Sequence, residues 1–147
     1  MRLSISNQLT LEKVKANNNH IKILYELLKN RKQNQKISSD KLPTLADHQA
    51  FVRKNPYRIW FLVFYNDQCI GNLYLSKKNE IGIFLVKNEE VLKEIIKFLK
   101  EKYKPLKPIA SVRAKNFIIN ISPNNVMLKK YLKKIGAKLI QYTYLIE

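Results

Sequence analysis

The chain has 147 residues, enough for one domain with a core of its own, and 46% of them are hydrophobic, which excludes a disordered chain. The single cysteine, Cys69, excludes an intramolecular disulfide and most zinc sites. With 28 Lys+Arg against 11 Asp+Glu the formal net charge is +17, so the protein attracts polyanions unless the lysine excess merely reflects composition.

The longest apolar run, residues 59–64, is strand-sized, and the opening MRLSISNQLTLEK lacks the apolar core and cleavage site of a secretory signal. A cytoplasmic protein without membrane spans is expected. Residues 9–15 alternate apolar and polar, as a half-buried strand does. Asn18 or Asn19 can cap a helix with Ile21, Ile23, Leu24, Leu27 and Leu28 on one stripe. Residues 29–41 read as a mobile polar loop. Thr44 and Asp47 have the spacing of a capping box, opening a short helix that stops before Pro56.

Three strands follow, over residues 57–65, 69–76 and 80–86, separated by polar turns at 66–67 and 77–79; this predicts an antiparallel meander. The first is apolar nearly throughout and should be covered on both faces. A helix from about Glu89 to Tyr103 has Val91, Leu92, Ile95, Ile96 and Leu99 as its buried stripe. Residues 116–122 read as a strand. Residues 122–136 read as a last helix, capped by Asn124 or Asn125 and closed by Gly136, with Leu128, Tyr131, Leu132 and Ile135 facing the core. Residues 138–146 read as a final strand. The order βααβββαβαβ predicts a single α/β domain of the α+β type over residues 1–147. It would have a mixed, mostly antiparallel sheet with helices on both faces.

Three stretches, NPYRIWFLVFYNDQCIGNLYLSKKNEIGIF, INISPNNVMLKKYLKKIGAKLI and the ending QYTY, carry a resemblance to the GNAT superfamily of acyl-CoA N-acetyltransferases, especially small bacterial amino-sugar-type members. The resemblance implies acetyl transfer from acetyl-CoA to a primary amine, such as that of an amino sugar or nucleotide sugar. It also implies that the strand at residues 80–86 diverges from the one at 117–121. The pantetheine arm would then lie against the backbone of Ile83, Phe84 and Leu85, and the pyrophosphate would meet the turn at Lys87 and Asn88. Asn125 matches the family asparagine that helps to hold the arm, and is equally readable as a helix cap. Where many members carry a tyrosine acid this chain has Leu132; Tyr131 points about 100° away on a helix.

In the turn the chain departs from the family. The usual Q/R-x-x-G-x-G/A loop is replaced by VKNEEV; the only glycines are Gly71, Gly82 and Gly136. Glu89 and Glu90 open the next helix and satisfy its positive end, so a diphosphate would meet like charge. The loop is thus degenerate as a phosphate cradle.

Acetyl transfer asks for alignment and a base for the amine. Glu80, at the start of the cofactor-side strand, and His48, on the short helix, are the candidates, each also readable as an ordinary surface residue. Tyr142 and Tyr144 could line the acceptor cleft or pack as strand aromatics. No H-x-x-x-H, G-x-S-x-G or Cys/His cluster is present, so no metal site is expected. Two other readings remain: a GNAT-fold binding or interaction module that has lost CoA binding, and non-specific polyanion or nucleic-acid association through the lysines. The sequence names neither the acceptor nor the oligomeric state.

Overall fold

A computed structural model of the chain describes residues 2–31 and 41–147. The polar loop expected over residues 29–41 falls mostly outside them.

Two short strands open the chain, β1 (Arg2–Ser4) and β2 (Leu9–Lys13), followed by α1 (Asn18–Lys29) and α2 (Leu45–Lys54). The meander is β3 (Ile59–Tyr65), β4 (Gln68–Leu75) and β5 (Glu80–Leu85). A 3-10 turn (Glu89–Val91) leads into α3 (Leu92–Lys102), then come β6 (Ile118–Ile119) and α4 (Val126–Lys134). The six strands lie in chain order; all neighbours are antiparallel except β5 and β6, which run parallel.

The sheet separates two apolar layers. On one face Phe61, Val63, Leu73 and Leu85 pack with Val91, Ile95 and Leu99 of the α3 segment. On the other, Trp60, Leu62 and Phe64 pack with Ile21, Leu24 and Leu27 of α1 and Val52 of α2. Residues 60–64 of β3 are therefore buried whichever way they point, as their unbroken apolar run predicts.

Local chemistry explains the boundaries. Asn17, rather than Asn18 or Asn19, caps α1 by accepting from His20 N–H at 2.8 Å. Thr44 Oγ1 accepts from Asp47 N–H and caps α2. The left-handed positions are taken by Asn55, Asn66, Asp67, Asn79, Asn88 and Ser111, and by one glycine, Gly136. Asparagine tolerates that region better than other side-chain residues, and this chain uses it where glycine is usual.

Three expectations fail in part. The sequence reading missed β1, too short to show a period. The strand expected over residues 116–122 keeps only two ladder residues, because β6 diverges from β5 beyond them. The final strand is absent: residues 138–146 are unpaired, and apolar exposure there runs from 71% at Leu139 to 91% at Ile146. Without that strand α4 is only half covered. Leu128, Tyr131 and Leu132 are half-buried, and Ile135 is exposed.

Asn79 holds the long connection between β5 and β6. Wholly buried, at a φ of 63°, it donates from Nδ2 to the carbonyls of Leu106 and Ala114 and accepts from Leu106 N–H through Oδ1. Its own carbonyl accepts from Ile118 N–H. One side chain thus docks residues 106–114 and sets β6 beside the start of β5.

Candidate functional site

β5 and β6 are in register only at Glu80 with Ile118 and Ile81 with Ile119. Beyond these pairs the strands separate, and a cleft of about 650 Å³ opens between them. Ile83, Leu85 and Val86 form one wall, Asn120, Ile121 and Ser122 the other. The turn at residues 87–90 lies at one end, and α4 contributes Leu128 and Tyr131.

The ladder decides which backbone groups face this cleft. Ser76 N–H donates to Glu80 O and Val86 N–H to Ile70 O. In an antiparallel pair such bonds recur at every second residue, so Gly82 and Phe84 also spend their N–H and C=O groups on β4. Ile83 and Leu85 turn theirs the other way, towards β6. Ile83 thus presents a donor and an acceptor where β6 has already left. Phe84 presents neither, and its ring packs with the α1 and α2 layer.

Where the two strands are still paired lies Glu80, which does not itself line the cleft but is bonded to Asn120, which does. Its carboxylate accepts from Ser76 Oγ–H at 3.0 Å and from Asn120 Nδ2 at 2.9 Å, one partner on each side of the gap. These bonds hold the half-buried carboxylate in one orientation. Close by, the rings of Tyr57 and Tyr74 stack at 3.8 Å between centroids. The Tyr74 ring lies across Gly82, where an added Cβ would overlap its tip. Gly82 is therefore required for this approach. Burial, reinforced by Tyr74 and then by Glu80, pushes the Tyr57 hydroxyl well above the usual tyrosine range; burial and Glu80 also raise that of Tyr74.

His48 is placed differently. Its ring is buried, Nε2–H donates to Ile21 O at 3.0 Å, and Tyr25 lies beside it at 5.1 Å. It ties α2 to α1. The other histidine, His20, accepts from Lys15 N–H through Nδ1 and meets Glu12 through Nε2 at 2.7 Å, pinning α1 to β2.

The turn takes its left-handed residue from Asn88, with φ 56°. Val91 N–H donates to Asn88 O. Among the described residues no hydrogen bond engages the N–H groups of Lys87, Asn88, Glu89 or Glu90. Donors are available, then, but Glu89 and Glu90 line the same end of the cleft, and Lys87 Nζ donates to Gln68. Asn125 caps α4 through Oδ1, accepting from Leu128 N–H at 3.3 Å, and also lines the cleft. Its two expected roles are compatible in one position.

Tyr142 and Tyr144 lie on the unpaired segment, with their rings 6.4 Å apart, outside the cleft. Sequence reading missed Ser76, Asn120, Tyr57 and Tyr74. Only the register, which sets Tyr74 opposite Gly82 and Glu80 beside Ile118, brings them together. Among the described residues no three His, Cys, Asp or Glu side chains cluster as a metal site, and no helix is long and apolar enough to cross a membrane.

No protein-family model matches the chain, and no curated protein matches it. Solved structures do. One is an acetyltransferase from Salmonella typhimurium that modifies the N-terminal serine of ribosomal protein L7/L12: TM-score 0.65, 16% identity, 92% of this chain and 84% of that one covered. A second is the microcin C7 self-immunity acetyltransferase MccE, in complex with acetyl-CoA and AMP: TM-score 0.64, 15% identity, coverage 90% and 79%. A third is an integron cassette protein from the mobile metagenome of V. cholerae: TM-score 0.60, 14% identity, coverage 97% and 94%. The parted parallel strands, the helices on both faces and these neighbours agree: the chain has the fold of the GNAT acetyltransferases.

Proposed function

We propose that this protein transfers an acetyl group from acetyl-CoA to a primary amine, carried by an amino sugar or nucleotide sugar. The observation that carries this reading is the divergence of β5 and β6. It opens a cleft with the backbone groups of Ile83 facing in, and Asn120 on its other wall holds the Glu80 carboxylate beside the point where the strands part. An extended amide-bearing arm can add to β5 there as a short strand would. Acetyl-CoA supplies the activated acyl group and such an arm.

Each residue then has a task. Ile83 orients the arm, Leu85 lines its path, and Asn125 borders it from the cap of α4. Glu80 takes the proton from the amine, directly or through one water; Ser76 and Asn120 hold its carboxylate while it does so. His48 supports the α1–α2 contact at the border of the acceptor side. Lysines across the surface favour a phosphorylated acceptor, consistent with the AMP in the MccE complex.

A specific observation favours a second reading. Two carboxylates stand in the first helical turn where a diphosphate would sit, and the turn has no glycine. A GNAT-fold binding module that no longer takes CoA would look like this. Calorimetry with acetyl-CoA at physiological salt separates the two, with short duplex DNA as polyanion control. Micromolar binding, with weaker DNA binding that falls steeply with salt, supports the enzyme; an acceptor screen over amino sugars and nucleotide sugars follows. No heat up to millimolar acetyl-CoA overturns it. DNA binding alone leaves the lysine surface as the functional one.

A further inference from the structure

The face of the sheet that α1 and α2 cover carries a cation without a partner. Leu24, Leu27 and Arg31 fall on one stripe of α1 and its last turn, and both leucines are buried in that layer. Arg31 N–H donates to Leu28 O, which keeps the helical turn. Arg31 Nε is buried. Among the described residues nothing accepts from it, and no carboxylate pairs with the guanidinium. A cation withdrawn from water without a counter-charge is costly. The negative end of α1 favours a positive charge here but gives Nε no hydrogen bond. An anion from outside the chain would offset that cost.

The surroundings suit such a ligand. Trp60, Tyr74 and Gly82 stand opposite one another across β3, β4 and β5, so they share this face, and Glu80, two residues before Gly82, shares it too. Tyr57 stacks on Tyr74 and meets Trp60 edge-on at 5.0 Å. Burial chiefly raises both tyrosine hydroxyls; Glu80 adds to the rise and Arg31 opposes it in each. The stacked pair thus lies within the fields of one cation and one anion. Arg31, Tyr57, Tyr74 and Glu80 are each only half-buried, so all four keep surface that a ligand can reach.

We infer that Arg31 receives an anionic oxygen group of the acceptor, a phosphate or a carboxylate, while the amine of the same molecule lies at Glu80 and its body rests on the Tyr57–Tyr74 pair. A guanidinium grips such a group with two parallel N–H bonds, whereas the surface lysines act only as point charges. The acceptor is then an amine that carries its own negative charge, selected at the end remote from the reacting nitrogen. The role of Glu80 rests on the acetyl-transfer reading; the anion site at Arg31 does not.

Trp60, the single tryptophan, lies against Tyr57 and reports occupancy by its emission. The probes are glucosamine 6-phosphate for the phosphate, serine for the carboxylate, and glucosamine as the amine without an anion. At least one anionic amine should bind about tenfold or more tighter than glucosamine, and which one does so names the group. Arg31→Gln should weaken that ligand about 10–100-fold, the share of a charged hydrogen-bonded pair, and leave glucosamine unchanged; Arg31→Lys should fall between. At about 1 M salt, where the screening length is about 3 Å, the preference should persist, because Nε is buried, whereas attraction by exposed lysines should vanish. The urea midpoint of ligand-free Arg31→Gln should match or exceed that of the wild type, since the change removes an uncompensated charge. Anionic amines that bind no better than glucosamine overturn the inference. So does a preference that survives Arg31→Gln, or a ligand-free variant that is markedly less stable. Arg31-dependent binding without acetyl transfer to any probe upholds the anion site and overturns the enzyme reading alone.

Discussion

Replacing Asn79 tests how the cleft is held open. Glycine there keeps the left-handed backbone but removes three hydrogen bonds of 2.8–2.9 Å from a wholly buried site. Each bond contributes about 0.5–1.5 kcal/mol, and each group left unpaired costs about 1–3. Water entering the vacated space recovers part of that. Asn79→Gly should therefore lose about 3–5 kcal/mol, a large share of the roughly 5–15 available to a domain. Aspartate should be worse: it keeps the acceptor for Leu106 N–H but sets a carboxylate against the Leu106 and Ala114 carbonyls. Urea denaturation followed by Trp60 emission measures this, and at roughly 2 kcal/mol per M the glycine variant's midpoint should fall by about 2 M. If Asn79→Gly unfolds within about 0.5 M of wild type, the side chain contributes only its tolerance of positive φ, and the clamp is not what seats β6.

Three further outcomes are expected. Glu80→Gln keeps the size and the Asn120 neighbour but cannot take a proton; acetyl transfer should fall about 10²–10⁴-fold in kcat with little change in KM for acetyl-CoA, as steady-state kinetics would show. Glu89→Gln with Glu90→Gln should tighten acetyl-CoA several-fold by calorimetry, less so at high salt, while lowering stability by about 0.3–1 kcal/mol through the helix end; unchanged affinity would mean the diphosphate lies elsewhere. Burial pushes the Cys69 thiol up, so the native protein should react with a thiol reagent much more slowly than the urea-unfolded chain at the same pH.

The elements whose signal is local were legible in the sequence. The meander announced itself through turns at Asn66–Asp67 and at residues 77–79, and β3 through an apolar run that needs cover on both faces. Glu80 and Asn125 could be singled out because each stands at the start of an element. The register could not be read. That Tyr74 crosses Gly82, and that Glu80 has Ser76 on one side and Asn120 on the other, follows from pairings between distant residues. His48 looked like a surface base because its partner, the Ile21 carbonyl, is a backbone group that composition cannot reveal. The last strand failed for a related reason: alternation reports that a segment suits a sheet, not that an edge lies within reach.

The shortness of the last seam has a consequence for the motion of the sheet. As β2 and β3 are joined through α1 and α2, β5 and β6 are joined through α3, but they share only two registered pairs. With only two registered pairs, that parallel seam is the first part of the sheet to open. Within the sheet, amide exchange should accordingly be fast at Ile118 and Ile119 and slowest in the middle of β3. A molecule seated between β5 and β6 would bridge the seam held by the fewest pairs, and its binding would be read as slower amide exchange at Ile118 and Ile119.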